Sequence, residues 1–221
     1  MVGRLHRGGL LSLCVCVSAV NLFAAPQRIV STSPSITEML YALGLGDRVV
    51  GVTTFCHYPP EAEKKTKIGN YLNPNLEVIV GLRPDLVIAE TSGVRRPEKL
   101  SSLKLNVVEI DDSNLAGIYA SIRTIGKASG VPERAEKLCS GMRAALEDLR
   151  RKTAPLARRR MLFVVGRTPG RIEDLIAVGR GSFLNELMEV AGGRNIFGDS
   201  PAGYPKVGLE DLLGRNPEVI V

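Results

Sequence analysis

The chain has 221 residues, 44% of them apolar and only 5% aromatic, with no tryptophan. That length exceeds a typical single domain and suits two small ones with real cores. The formal charge of +6 is local, since residues 133–160 carry nine Lys/Arg against four Asp/Glu while 161–221 carry six against eight; a basic excess confined to one connecting segment argues against a nucleic-acid face.

The first 24 residues read as a secretory signal peptide. Arg4, His6 and Arg7 form a charged start, Leu10 to Phe23 is an apolar run broken by Ser12, Ser18 and Asn21, and Ala24-Ala25 offers a small-residue cleavage point. The run is short for a membrane span. A periplasmic location is therefore expected, with lipid attachment at Cys14 or Cys16 the weaker alternative. Past the signal only Cys56 and Cys139 remain, and the sequence leaves their pairing open.

Residues 25–132 alternate short apolar runs with helical periodicities. Strands are expected at Arg28–Ser31, Val49–Val52, Leu86–Ala89 and Leu105–Ile110. Between them, Ile36, Met39, Leu40 and Leu43 share one helical face, and Ser35 with Glu38 has the spacing of a capping box. Asn73-Pro74 is expected to open a second helix, with Leu76, Ile79 and Val80 buried. A third helix spans Leu115–Ala128. This alternation indicates a parallel α/β sheet. Residues 133–152 then predict one long connecting helix, preceded by Pro132. Leu138, Met142, Ala145, Leu146 and Leu149 form its stripe, and it reaches about 28 Å. Residues 153–221 open a second α/β lobe with a strand at Met161–Val165.

The two lobes repeat one plan. Leu76–Ile88 and Leu209–Val221 share the pattern L-E-x-h-h-G-x-x-P-acidic-h-h-h, with h apolar, at an offset of 133 residues that also places Tyr71 on Tyr204. A second echo pairs Ser35 with Ser182, each sixteen residues before a glycine, Gly51 or Gly198. The second copy ends at the counterpart of Ile88, whereas the first continues for roughly forty residues before the long helix. A truncated second lobe is thus expected.

Catalytic constellations are sparse. The histidines are His6 and His57, which makes a His-based metal cage improbable, and no G-x-S-x-G elbow occurs. Cys56 and His57 are sequence neighbours that an extended chain points to opposite faces. Gly166–Gly170 lacks the Lys-Ser/Thr ending of a phosphate loop and reads as a turn. Binding features are stronger. Phe55, Tyr71 and Tyr204 each lie in a polar Gly/Pro-containing loop near a strand end, where aromatic faces suit a flat, partly apolar ligand. Glu77 and Glu210 sit in the first turns of matched helices. They serve either as carboxylates at positive helix ends or as paired charges for a two-fold-symmetric partner.

Residues 25–221 resemble the BtuF-like cobalamin-binding periplasmic substrate-binding proteins of ABC importers, part of a wider family that also serves ferric siderophores and haem. The resemblance rests on Arg28–Glu38, on Gly51-Val52 leading to Tyr58-Pro59-Pro60, and on Asn75-Leu76-Glu77 with Arg83–Ile88. In the second lobe it rests on Gly192–Ser200, Tyr204-Pro205 and Glu210. It implies two Rossmann-like α/β lobes with parallel sheets on a single long helix, and a non-enzymatic, monomeric carrier without cofactor or metal. The corrinoid cobalamin is then a cargo held between the lobe tips by Ser35, Phe55, Tyr71 and Tyr204. Glu77 and Glu210 are implied to dock on arginines of the permease dimer, which works with its ATPase. The chain departs from the cobalamin binders in carrying Glu90 and tyrosines where they have tryptophans. A siderophore or haem carrier, with Arg95, Arg96, Arg167 and His57 to inspect, is the alternative within the class. A chelatase-like enzyme using Cys56, His57 and Glu90 is the alternative outside it.

Overall fold

The computed structural model describes residues 25–70, 73–91, 100, 103–170 and 174–221. Residues 1–24, Tyr71, and Arg95 with Arg96 lie outside them.

Ile29–Ser31 (β1) is the centre of a five-stranded parallel sheet. It pairs with Val49–Val52 (β2) on one side and Leu86–Glu90 (β4) on the other, aligning Ile29 with Val49 and with Leu86. Thr66–Lys67 (β3) and Val107–Ile110 (β5) complete the order β3-β2-β1-β4-β5. Successive side chains leave a strand on opposite faces, and the core divides accordingly. Ile29, Leu86 and Ile88 pack with Pro34–Ala42 (α1), Leu115–Ala128 (α4) and the start of the long helix Pro132–Thr153 (α5). Val30 and Val87 pack on the other face with Ile68, Leu100 and Ile79 of Leu76–Gly81 (α3). A short helix, Pro60–Glu63 (α2), precedes β3. Each fully buried Ile or Leu here contributes about 1.5–3 kcal/mol. Helices α4 and α5 pack against each other across Gly126, where a Cβ would strike the Ala135 methyl.

Several helix starts differ from the expectation. Helix α1 is capped by Ser33, whose Oγ accepts from the Ile36 N–H, not by Ser35. Helix α3 starts two residues after Pro74 because Asn75 caps it, accepting from the Val78 N–H at 3.1 Å. Val80 consequently faces solvent and Val78 takes a place against the core. The stripe on α5 holds through Leu146, whereas Ala145 and Leu149 are exposed, since the last turns extend past the first lobe's core.

In the second lobe the predicted strand Met161–Val165 is two strands. Arg159–Leu162 (β6) belongs to a parallel sheet ordered β11-β6-β9, with Gly193–Asn195 (β9) and Val219–Ile220 (β11). After Phe163 the chain crosses into an antiparallel sheet ordered β10-β8-β7, made of Val164–Gly166 (β7), Leu175–Ala177 (β8) and Lys206–Val207 (β10). The lobe is thus mixed rather than wholly parallel. Phe183–Val190 (α6) and Leu209–Arg215 (α7) are its helices.

The duplication holds in three dimensions. β9-β6-β11 repeats β2-β1-β4, and the first residues of α3 and α7, Leu76 and Leu209, keep the 133-residue offset, as do Leu86 and Val219 at the starts of β4 and β11. Arg83 and Asn216 take the same left-handed backbone, φ 45° and 44°. Asp85 accepts the Gln27 and Arg28 N–H groups, and Glu218 accepts that of Arg160. Arg28 donates back to the Leu82 carbonyl and Arg160 to that of Asn216. The serine echo slips by two residues, because the caps are Ser33 in α1 and Ser182 in α6.

Candidate functional site

Strand order places the site. From β1 the chain winds outward through β2 to β3, and from β4 it winds the opposite way to β5. Where the winding reverses, the crossover connections diverge and leave a crevice at the carboxyl ends of the strands. Ser33, Pro34 and Ser35 follow β1, Glu90 ends β4, and Asp112 and Ser113 follow β5. These six line a hollow of about 420 Å³ whose other wall is Gly181, Phe183 and Tyr204 of the second lobe.

A chain of hydroxyls orders the first wall. The Ser35 Oγ donates to Glu90 Oε1 at 2.5 Å and lies 2.9 Å from Ser33 Oγ. Behind it, Ser31 and Thr37 are buried and hydrogen-bonded at 2.7 Å, and the Thr37 hydroxyl also meets the buried Cys56 Sγ. Buried polar groups satisfied in this way fix the junction of β1 and α1 that carries Ser35. The second wall is ordered alike. Ser182 accepts the Leu184 N–H and donates to the Tyr204 hydroxyl at 3.1 Å. The Tyr204 loop is held to β8 and its exit by Ala177 N–H to Pro205 and Gly179 N–H to Gly203, both 2.9 Å. Tyr204 remains 51% exposed, available to a ligand.

The lobes meet directly beside the hollow. The Phe183 N–H donates to the Ser113 carbonyl at 2.8 Å, and the Leu115 N–H donates to Glu186 of α6 at 3.2 Å.

Of the predicted ligand residues, the structure thus brings Ser35 and Tyr204 to one hollow. Phe55 is 54% exposed in the loop after β2 and is not part of the described lining, and Tyr71 lies outside the described residues. Sequence reasoning missed Asp112, Ser113 and Phe183; their position just past a strand or at a helix start was the available signal. Glu77 and Glu210 are exposed at the second positions of α3 and α7.

Of the residues named for the alternatives, Glu90 lines the hollow, Arg95 and Arg96 lie outside the described residues, and His57, Cys56 and Arg167 are not in its described lining. His57 is exposed and paired with Glu63 at 3.0 Å, whereas Cys56 is fully buried, so the two do not meet as base and nucleophile. Cys56 and Cys139 are both free and buried, and burial pushes the Cys139 thiol up. Arg167 lines a larger hollow, about 900 Å³, on the second lobe alone, walled mainly by apolar groups such as Leu162, Leu209, Leu213 and Ile220. It is larger than the inter-lobe hollow, but it draws on one lobe and offers few convergent polar groups, which a specific ligand site requires. Among the described residues no group of three or more His, Cys, Asp or Glu could hold a metal ion, and no helix is long and apolar enough to cross a membrane.

Comparison with known proteins fits this geometry. The vitamin B12-binding protein of Photorhabdus laumondii is 33% identical over 215 residues, covering 96% of this chain and 76% of the relative. An uncharacterised ABC transporter substrate-binding lipoprotein of Bacillus subtilis is 34% identical over 210 residues, 91% of this chain and 65% of its own length. The crystal structure of the periplasmic vitamin B12-binding protein BtuF of Vibrio cholerae superposes with a TM-score of 0.76 at 33% identity, over 89% of this chain and 76% of that one. The periplasmic haem-binding protein RhuT of Roseiflexus sp. gives 0.77 at 28% identity, over 88% and 75%. The sequence profile of periplasmic binding proteins matches residues 29–221, and with the two lobes, the switch-point crevice and these relatives the chain belongs to the periplasmic binding protein family.

Proposed function

We propose that this protein is an extracytoplasmic carrier that holds a corrinoid, cobalamin, between its lobes and delivers it to an ABC importer. The observation that carries the reading is a hollow built from both lobes. It has the Tyr204 ring on one side and the Ser35–Glu90 hydroxyl–carboxylate pair on the other. Relatives of similar sequence along most of the chain bear the name vitamin B12-binding protein. A hollow of this size grips the edge of a macrocycle rather than enclosing it. The lobes carry no catalytic task in this reading, and the corrinoid leaves unchanged. Residues 1–24 serve as the signal peptide, 25–132 and 153–221 as the two lobes, and 133–152 as the connection between them. Glu77 and Glu210, one per lobe, are the charges that meet the importer's permease dimer.

Titration of the full chain with cyanocobalamin, followed by calorimetry or absorbance, tests the proposal. Saturable binding of one corrinoid per chain is expected. Tight binding of haem with no detectable cyanocobalamin binding would move the cargo to the second reading, which the haem-binding relative favours.

A further inference from the structure

Glu90 is the wall residue of the cleft to which the carrier reading assigns no task of its own. It closes β4 at the switch point, is half-buried, and forms part of the hollow's wall. Its Oε1 receives the Ser35 hydroxyl, and Ser35 lies in the first turn of the nine-residue helix α1, whose positive end favours a negative group there. One hydroxyl donor leaves a carboxylate with further acceptor sites. Asp112 adds a second acidic side chain to the same wall. Among the described lining residues there is no Lys, Arg or His. Arg167 faces the other hollow and His57 is engaged with Glu63 outside the cleft.

We propose that Glu90 is a specificity-determining residue of this cleft, one that accepts hydrogen bonds from neutral amide N–H groups on the cargo's rim and repels carried carboxylates. The inference rests on the corrinoid reading and names what the site distinguishes within it. A corrinoid with a rim of carboxamides offers N–H donors to the fixed carboxylate. A tetrapyrrole with carboxylates at the same radius sets like charges against each other in a partly desolvated gap, and such juxtaposition excludes wrong partners more effectively than added attraction selects right ones. The wall thus acts as a charge filter.

The wild-type full chain is titrated with three ligands: cyanocobalamin, a cyanocobalamin monocarboxylate in which one rim amide is hydrolysed, and haem. Glu90→Gln is then titrated with the same three. The expected result is that wild type prefers cyanocobalamin over the monocarboxylate by about tenfold, about 1.4 kcal/mol, and over haem by more. In E90Q, an isosteric change, the gap narrows to within about threefold, chiefly by gain for the acidic ligands. The wild-type comparison alone decides the matter if the variant fails to fold. Cyanocobalamin binding with equal affinity for the monocarboxylate, or discrimination unchanged in E90Q, overturns the role of Glu90 and leaves the carrier reading standing. Failure of wild type to bind cyanocobalamin overturns the corrinoid reading and this inference together.

Discussion

Tyr204 could be picked out in the sequence because it lies in a polar loop beyond a strand, where α/β proteins gather ligand contacts, whereas Ser35 was legible as a ligand residue only through the family resemblance. Asp112 and Phe183 occupy equivalent places, but a short polar or apolar side chain in a turn carries no signal until the second lobe faces it. Tyr204 is half-exposed, with its hydroxyl restrained by Ser182. Tyr204→Ala should weaken cyanocobalamin binding about tenfold or more, as loss of an aromatic anchor does, while the melting temperature stays within a few degrees of wild type. At Glu218 the effect is on stability. The Arg160 backbone N–H, then Arg159, hold its carboxyl below the usual range. The folded chain therefore takes up that proton at lower pH than the unfolded chain. The contact stabilises above the ordinary carboxyl range and is lost as pH falls through the lowered value. Glu218→Gln should melt below wild type at pH 7, and the difference should shrink on acidification; a constant difference across pH would refute the assignment.

At the scale of elements, the long helix and the helix at 115–128 were legible because their periodicity is strong, and the strand at 49–52 because it is a short apolar run. The strand at 161–165 was not, because pieces of three or four residues carry no period long enough to show a change of sheet. Two helix starts were legible in type and mistaken in place, with Ser33 and Asn75 the actual caps; Ser182 caps α6, and Gly208 leaves α7 without a side-chain cap. Asn75→Ala should cost about 1 kcal/mol in chemical denaturation, whereas Gly208→Asn, which meets open space, should gain a few tenths. The matched helix starts also carry the docking proposal. Reversing both charges, Glu77→Arg with Glu210→Arg, should abolish corrinoid uptake in a transport assay and leave affinity within about twofold, because rim charges govern encounter with a partner rather than cargo binding. Unchanged uptake would sink that role.

For the whole molecule, the repeat read from sequence foretold two lobes and a gap between them; it did not foretell how firmly they are joined. The Phe183–Ser113 and Leu115–Glu186 hydrogen bonds cross between lobes beside the hollow, and Leu187 of α6 packs against the first lobe's core. A molecule braced there as well as through α5 has little freedom to swing. Small-angle scattering of the free and cyanocobalamin-loaded chain should therefore agree in radius of gyration to about 1 Å; a larger closure would show that the bracing yields.

The shared torsion of Arg83 and Asn216 makes each half of the protein an internal standard for the other. Asparagine tolerates a left-handed backbone better than arginine, which meets a penalty of about 1–2 kcal/mol there. Writing the second half's choice into the first, Arg83→Asn, should recover part of that penalty, while the reverse swap, Asn216→Arg, should lose a similar amount. Two equal and opposite shifts would measure side-chain preference at fixed geometry.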